Sequence, residues 1–181
     1  MVKILSFILL VCLSVNTVHA QEKSKIIDTA AVVAPADTLK PYQKYPVLPA
    51  FNILEMDSTT IFNTFNIPSG KPIALMLFSP DCKHCKRTIK ALQEGMDSIK
   101  NIQFYMVTAS HNMTDIKDFY AKHHLADYKN IQKVGRDLEF FYFSYYGAKF
   151  VPDIAIYDEH KKLVKLIEGE TNASEVYKYI H

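Results

Sequence analysis

The sequence predicts an α/β fold, in which helices flank a central mixed β-sheet, and three features predict it. Residues 73–78 form a continuous apolar run, which is typical of a strand buried on both faces. A segment with helical periodicity follows, and then a second apolar run over residues 102–107, so these elements form a βαβ unit. Strand-like runs over residues 154–157 and 163–167 predict a hairpin near the C-terminus. At 181 residues and 49% hydrophobic composition, the chain has room for one domain of ordinary size.

The helix of the βαβ unit is predicted to be amphipathic. One face carries apolar side chains at alternating spacings of four and three residues: Cys85, Ile89, Leu92, Met96 and Ile99. Lys86, Lys90 and Glu94 lie on the opposite face. This pattern places Cys85 on the buried stripe of the helix.

Residues 1–20 have the pattern of a signal peptide. A basic residue precedes an apolar run over residues 4–13, and a small side chain ends the segment before Gln21. Because the run is too short to span a bilayer, we expect cleavage before Gln21 and export, in bacteria to the periplasm. The alternative is lipidation of Cys12, which would tether the protein to a membrane. Val11 argues against it, since such sites have Gly, Ala or Ser there.

Residues 21–46 are predicted to form a linker or extended arm, because they are rich in Lys, Asp, Thr, Ala and Pro and show no sustained periodicity. The folded domain is predicted to span residues 47–181. It is expected to begin with a strand over residues 47–54, which Pro46 and Pro49 would restrict to the edge of a sheet.

Three further helix signals follow the βαβ unit. A helix is predicted from about Asp115, with Thr114 as its N-cap. The dense aromatic segment over residues 140–146 is predicted to be a helix that ends at Gly147. The last helix is predicted to begin after the N-cap Asn172.

The number and spacing of the cysteines indicate a chemical role for the pair rather than a structural one. If Cys12 leaves with the leader, only Cys82 and Cys85 of the 3 cysteines remain. Exported proteins that use disulfides for stability normally have several pairs that close long loops, whereas this pair closes a very short one. The Cys82-Lys83-His84-Cys85 motif is therefore predicted to perform thiol-disulfide exchange.

The position of the motif supports this prediction. Pro80 and Asp81 break the preceding strand, so Cys82 is expected in the exposed first turn of the helix. Free N–H groups and the helix dipole at that end favour the thiolate, which is the attacking species. Positive potential is added by three basic side chains: Lys83, Lys86 and Arg87. Asp81 opposes it, and Cys85, one turn further and buried, fits a resolving thiol.

This order of elements resembles the thioredoxin superfamily. The resemblance rests on the apolar strand, on Ser-Pro-Asp-Cys-Lys-His-Cys at residues 79–85, on the amphipathic helix, and on Phe-Val-Pro at residues 150–152 before a strand. It is nearest to the exported TlpA- and ResA-like branch and covers the predicted domain. It implies a thioredoxin-like fold, a cis bond at Pro152, and a groove in which Val151 and Pro152 bind the substrate peptide beside Cys82.

The sequence departs from the superfamily at two positions near the cysteines. Asp81 replaces the Trp that commonly precedes the first cysteine, and the chain contains no Trp. Met76 replaces the buried acid that many thioredoxins have six residues before that cysteine, so another group or water must take the proton of the buried thiol. We expect Pro80, Asp81 and His84 to tune the pair.

The direction of exchange is open at the level of sequence. His84 is similar to the histidine in the Cys-x-His-Cys of oxidising relatives, and DsbA-like proteins also have Val before the proline, as Val151 is here. Both similarities favour oxidising or isomerising exchange. The TlpA- and ResA-like branch contains many reductants, and Asp81 acts in the same direction by destabilising the thiolate.

The predicted function is that of an extracytoplasmic thiol-disulfide oxidoreductase acting on protein thiols and disulfides, with an unidentified redox partner and no cofactor or metal. The alternatives are a metal-binding chaperone with a thioredoxin fold and a non-catalytic module that binds a redox partner. Such chaperones typically have wider cysteine spacing and a histidine in a later loop. The near balance of 21 basic and 19 acidic side chains gives no sign of nucleic-acid binding, and a membrane is implied only if Cys12 is lipidated.

Overall fold

A computed structural model describes residues 39–180. The predicted signal peptide, Cys12 and most of the predicted linker lie outside these residues. The strands are β1 (Asn52–Glu55), β2 (Ile61–Asn63), β3 (Ile73–Leu77), β4 (Gln103–Thr108), β5 (Ile131–Asp137), β6 (Asp153–Tyr157) and β7 (Leu163–Glu168). The α-helices are α1 (Pro41–Lys44), α2 (Lys83–Glu94), α3 (Met113–Lys122), α4 (Phe141–Tyr146) and α5 (Ala173–Tyr177). Within the described part of the chain, no helix is long and apolar enough to cross a membrane.

The strands form one mixed sheet of seven strands in the order β2-β1-β5-β4-β3-β6-β7. β3, β4 and β5 run parallel, and every other neighbouring pair is antiparallel. The parallel β3-α2-β4 unit and the β6–β7 hairpin are the two arrangements that the sequence predicts. The predicted α/β fold with a central mixed sheet is confirmed.

β3 is buried on both faces, as its continuous apolar run predicts. Ala74 and Met76 lie in the apolar cluster that includes side chains of α2, α3 and α5. Leu75 and Leu77 lie in a second cluster, which contains the aromatic side chains of α4. Because side chains alternate along a strand, β3 separates two apolar layers, one on each face of the sheet.

The prediction that the first strand lies at a sheet edge is wrong. β1 begins at Asn52, after both prolines, and pairs with β2 on one side and β5 on the other. The edge strand is β2. Val47 makes only an isolated bridge to Lys162, so the prolines restrict pairing before β1 and leave β1 itself free to enter the sheet.

The helix ends show one corrected prediction and two confirmed ones. Asn112, not Thr114, caps α3, because its side chain accepts a hydrogen bond from the N–H of Thr114 at 3.0 Å. α4 ends at Gly147, whose φ of 63° lies in the left-handed region. Asn172 caps α5 by accepting from the N–H of Glu175 at 2.9 Å.

The described end of the predicted linker packs against α4. The Tyr145 hydroxyl donates to the carbonyl of Tyr45 at 2.6 Å, and the rings of Tyr42 and Tyr146 have centroids 6.0 Å apart. Lys40 Nζ donates to the carbonyl of Gly147 at 3.3 Å. Residues 40–45 are thus held by the same aromatic helix that covers the second apolar layer.

Candidate active site

Cys82 is the N-cap of α2. Its backbone is extended, with φ −72° and ψ 117°, and the helix begins at the next residue, Lys83. The sulfur of Cys82 accepts a hydrogen bond from the N–H of Cys85 at 3.2 Å. The sequence places Cys82 in the first turn, and the structure corrects this by one residue. As the cap, the sulfur itself satisfies one of the free N–H groups at the positive end of the helix.

The two cysteines differ in exposure. Both are free thiols, and Cys82 is half-buried while Cys85 is fully buried. Burial, together with the hydrogen bond to Cys82, raises the pKa of the Cys85 thiol to about 12. Cys85 lies in the apolar cluster beneath α2 with Phe78 and Ile89. The geometry therefore pairs an accessible sulfur with a buried one that stays protonated near neutral pH.

The loop before β6 crosses the site. β6 runs antiparallel to β3, with Asp153 opposite Leu77, so the start of β6 lies beside the end of β3, from which the chain leads to Cys82. The Val151–Pro152 peptide bond is cis, as the sequence predicts. The thiol of Cys82 donates to the carbonyl of Val151 at 3.4 Å. The structure thus places Val151 in contact with the first cysteine, and Pro152 follows it through the cis bond.

A groove opens beside Val151, whose carbonyl contacts the sulfur of Cys82. Its volume is about 390 Å³, and it is lined by His84, Phe150, Val151, Glu168 and Gly169. Phe150 is 75% exposed, so a large apolar ring faces solvent next to the loop that contacts Cys82.

The exposed side chain of His84 belongs to a hydrogen-bonded cluster with Glu170 and Arg87. Its Nδ1 lies 2.5 Å from Oε1 of Glu170, a residue that no feature of the sequence singles out. Arg87 binds the same carboxylate through Nε, at 2.8 Å from Oε2, and through Nη2, at 2.5 Å from Oε1. The hydrogen bonds from Arg87 and His84 lower the pKa of Glu170 to about 2, so the carboxylate is ionised at any physiological pH.

Pro80 and Asp81, the other predicted tuning residues, lie on the opposite side of the helix start from His84. Pro80 is buried and Asp81 is exposed. Both line a depression of about 200 Å³ together with side chains of α2 and α3: Lys86, Asp115, Asp118, Phe119, Lys122 and His123. Asp81 is next to Cys82 in the chain but is not the cap of α2, since that role belongs to the sulfur of Cys82.

Among the residues that the structure describes, no carboxylate takes the place of the buried acid that Met76 replaces. Met76 is fully buried in the same apolar cluster as Cys85. The buried carboxyl of Asp153 lies next to Pro152 and accepts from the Tyr142 hydroxyl at 2.8 Å. Tyr142 belongs to the second apolar cluster, on the α4 face of the sheet. Asp153 therefore faces away from Cys85 and is not placed to take its proton.

Among residues 39–180, no group of three or more His, Cys, Asp or Glu side chains is arranged to hold a metal ion. The histidines that the sequence leaves unassigned are dispersed. The Nδ1 of His111 contacts Arg136, for example, and the ring of His123 packs on Phe119.

The fold and the site together define a thioredoxin-fold protein with a cysteine pair at a helix N-terminus. The family model of the thioredoxin-like domain matches residues 66–181, and the chain belongs to that family. This confirms the resemblance that residues 79–85 and 150–152 indicate. A comparison with curated protein sequences gives no match.

Solved structures with the same fold include three bacterial proteins. StoA from Bacillus subtilis matches with a TM-score of 0.56 at 15% identity, over 74% of this chain and 98% of StoA. A putative thiol:disulfide interchange protein DsbE from Chlorobium tepidum matches with a TM-score of 0.56 at 18% identity, over 71% and 87%. A secreted Mycobacterium tuberculosis disulfide oxidoreductase matches with a TM-score of 0.58 at 14% identity, over 71% and 92%. At these identities the matches show the thioredoxin-like fold.

Proposed function

We propose that this protein is a thiol-disulfide oxidoreductase that exchanges disulfides with protein clients outside the cytoplasm. The observation that carries the proposal is the environment of one sulfur. Cys82 Sγ is half-buried, accepts the N–H of Cys85 at 3.2 Å, and lies 3.4 Å from the carbonyl oxygen of Val151, a residue that lines the groove. A structural disulfide needs neither the exposed sulfur nor the groove.

In the reducing direction, the Cys82 thiolate attacks one sulfur of a client disulfide. A mixed disulfide forms between Cys82 and the client, and the other client sulfur leaves as a thiolate. The Cys85 sulfur then attacks Cys82, the Cys82–Cys85 disulfide forms, and the second client thiol is released. Two electrons pass from the cysteine pair to the client. The oxidising direction is the same sequence reversed.

The proton of Cys85 has a defined route in this scheme. Its raised pKa, about 12, keeps the thiol protonated until the second step. Met76 offers no base on that face of the sheet. The client thiolate that leaves in the first step is a base available before Cys85 attacks, and it takes the Cys85 proton directly or through water. Protons and electrons are then balanced, and no further protein group is needed as a base.

The client is proposed to bind along the groove against Val151 and Pro152. Val151 belongs to the loop that precedes β6, and its carbonyl contacts the sulfur that a client must reach. Because Val151 is partly exposed and precedes Asp153, the first paired residue of β6, we infer that its backbone is available to an extended chain. His84 and Phe150 would contact the client side chains next to the reacting cysteine.

Trapping the mixed disulfide tests the proposal. Cys85→Ser removes the resolving thiol, so incubation with a disulfide-bonded peptide is expected to accumulate a covalent adduct at Cys82. Cys82→Ser is the matched control and should accumulate none. Mass spectrometry under non-reducing conditions identifies the adduct. Turnover of the peptide by the wild-type protein, with loss in both variants, completes the test. Adducts at Cys85, or undiminished turnover by Cys82→Ser, would contradict the proposal.

Export is proposed from the predicted signal peptide over residues 1–20. The structural relative from Mycobacterium tuberculosis is described as secreted, which is consistent with export of this fold. Expression of the full chain in a bacterium, followed by fractionation and intact-mass measurement, is expected to give a periplasmic protein that begins at Gln21. A lipid-modified protein that begins at Cys12 would show instead that the chain is tethered to a membrane and is not cleaved before Gln21. A cytoplasmic, uncleaved chain would contradict export.

A further inference from the structure

The loop at residues 169–171 joins the two halves of the site, and we name it the bridging loop. Its first residue, Gly169, donates its N–H to the carbonyl of Pro152 at 2.8 Å. Its last residue, Thr171, donates its N–H to the Thr88 hydroxyl on α2 at 3.4 Å. The bridging loop is therefore bonded to the proline loop on one side and to the cysteine helix on the other. Glu170 lies between these two contacts.

Glu170 binds two cationic or potentially cationic groups on the first turns of α2. Arg87 binds both carboxylate oxygens, and His84 Nδ1 approaches Oε1. A carboxylate only accepts hydrogen bonds, so the short contact requires the imidazole proton on Nδ1. Arg87 Nη2 lies 2.9 Å from the same Nδ1 because both groups converge on one oxygen. The carboxylate thus holds the orientation of the His84 ring.

The carboxylate also changes the charge that Cys82 experiences. Arg87 lies in the second turn of α2, the helix that Cys82 caps, and its pKa is raised mainly by its hydrogen bond to Glu170 and least by the nearby charge of Cys82. Arg87 attracts the thiolate, and a charge on Glu170 offsets that attraction. Since Glu170 is ionised across the working pH range, the offset is constant. In a cysteine pair, groups that stabilise the thiolate stabilise the reduced form and raise the reduction potential.

We propose that Glu170 is a positioning residue of the cysteine site, which holds His84 and Arg87 against α2 and, by offsetting the positive charge of Arg87, lowers the reduction potential of the Cys82–Cys85 pair. The inference rests on the proposed exchange function of that pair. It assigns to a residue of the bridging loop a role that acts through His84 and Arg87 rather than by contact with the reacting sulfurs.

Equilibration with glutathione measures the effect. Glu170→Gln keeps the size of the side chain and removes its charge, so its equilibrium is expected to shift about threefold toward the reduced dithiol, as befits exposed charges. The shift should shrink in 1 M salt, where the Debye length is about 3 Å. Glu94→Gln, which removes an exposed carboxylate from the far end of the same helix, is the matched control and should not shift the equilibrium.

Arg87→Gln separates the charge effect from a loosening of the structure. Losing the cation while keeping Glu170 should shift the equilibrium the opposite way, toward the disulfide. If Glu170 had a purely structural role, Glu170→Gln and Arg87→Gln would shift the glutathione equilibrium in the same direction. No shift in Glu170→Gln beyond the Glu94→Gln control, or a shift toward the disulfide, would overturn the proposal.

The failure of this inference and that of the proposed function can be told apart. The glutathione equilibrium involves only the Cys82–Cys85 pair, whereas the proposed function requires turnover of a protein client. A wild-type protein that equilibrates with glutathione but never acts on clients contradicts the function and leaves the role of Glu170 standing. Urea unfolding of each variant shows that the compared proteins are folded.

Discussion

The sulfur of Cys82 lies between a donor and an acceptor, the N–H of Cys85 at 3.2 Å and the carbonyl oxygen of Val151 at 3.4 Å. The N–H favours the thiolate, because an anion accepts a stronger hydrogen bond. The carbonyl oxygen favours the thiol, because only the protonated sulfur can donate to it. The proline loop and the helix N-terminus therefore act on the same sulfur in opposite senses.

The two cysteines are predicted to differ sharply in reactivity. At pH 8, Cys82 should be alkylated at least about tenfold faster than Cys85, because a buried thiol with a pKa of about 12 is almost entirely protonated there. Timed iodoacetamide labelling, with peptide mapping by mass spectrometry, measures both rates. The Cys82→Ser and Cys85→Ser variants isolate each thiol, and faster labelling of Cys85 would reverse the proposed roles.

The buried carboxyl of Asp153 is predicted to make stability depend on pH. Burial raises its pKa from 3.8 to about 6, against the lowering effect of the hydrogen bond from Tyr142. The folded protein then binds this proton more tightly than the unfolded chain does. The resulting stabilisation is complete below about pH 4 and is lost as the pH rises to about 6.

Asp153→Asn removes that penalty while keeping an oxygen that accepts from Tyr142. At pH 8 we expect its free energy of unfolding to exceed that of the wild type by up to about 3 kcal/mol, with little gain at pH 4. Urea titrations at both pH values measure the difference. Asp153→Ala, which removes the acceptor as well, should lose stability at pH 4. Equal destabilisation of Asp153→Asn at both pH values would show that the carboxylate is not penalised.

Gly135 is predicted to be intolerant of any side chain. A Cβ there would lie 2.4 Å from the carbonyl oxygen of Leu54 and 2.7 Å from Cγ2 of Ile53, both on β1. Gly135→Ala must push β1 away from β5, and we expect a loss of about 2 kcal/mol or more in urea unfolding. Gln132→Ala, at an exposed position of the same strand, should stay within about 0.5 kcal/mol of the wild type. Equal stability of the two variants would contradict this packing.

The central part of the fold could be predicted because its patterns are local. The run that forms β3 is apolar on both faces, and α2 has a clear apolar stripe. β5 could not be predicted, because its sequence Ile-Gln-Lys-Val-Gly-Arg-Asp lacks alternation. It forms a strand because β1 and β4 pair with it from both sides, a tertiary effect that overrides its propensity.

Within the site, too, the features with a local sequence pattern could be predicted and those that depend on tertiary contacts could not. The cysteine motif and residues 150–152 were found because each is a short, contiguous signal. Glu170 was missed because it is 83 residues from Arg87, and an exposed glutamate after a strand has no distinguishing pattern. Its contacts follow from the β6–β7 hairpin, which returns the chain to the start of α2.

The last prediction concerns the direction of exchange, which we expect to be oxidising or isomerising. The cap hydrogen bond from Cys85 and the charge of Arg87 stabilise the Cys82 thiolate, and so the reduced pair. Three groups oppose them: the carbonyl of Val151, the carboxylate of Glu170 and the neighbouring Asp81.

We expect the cap hydrogen bond and the charge of Arg87 to outweigh the three opposing groups. The reduction potential of the pair should then be nearer the isomerase value of about −180 mV than the thioredoxin value of about −270 mV. Asp81→Ala should raise it further, since it removes a negative charge next to the sulfur. Equilibration with glutathione measures both proteins under one buffer. A wild-type potential at or below that of thioredoxin would contradict this prediction and make the protein a reductant. The chemistry of the cysteine pair would be unchanged, since the same attack and resolution steps would then reduce client disulfides to thiols.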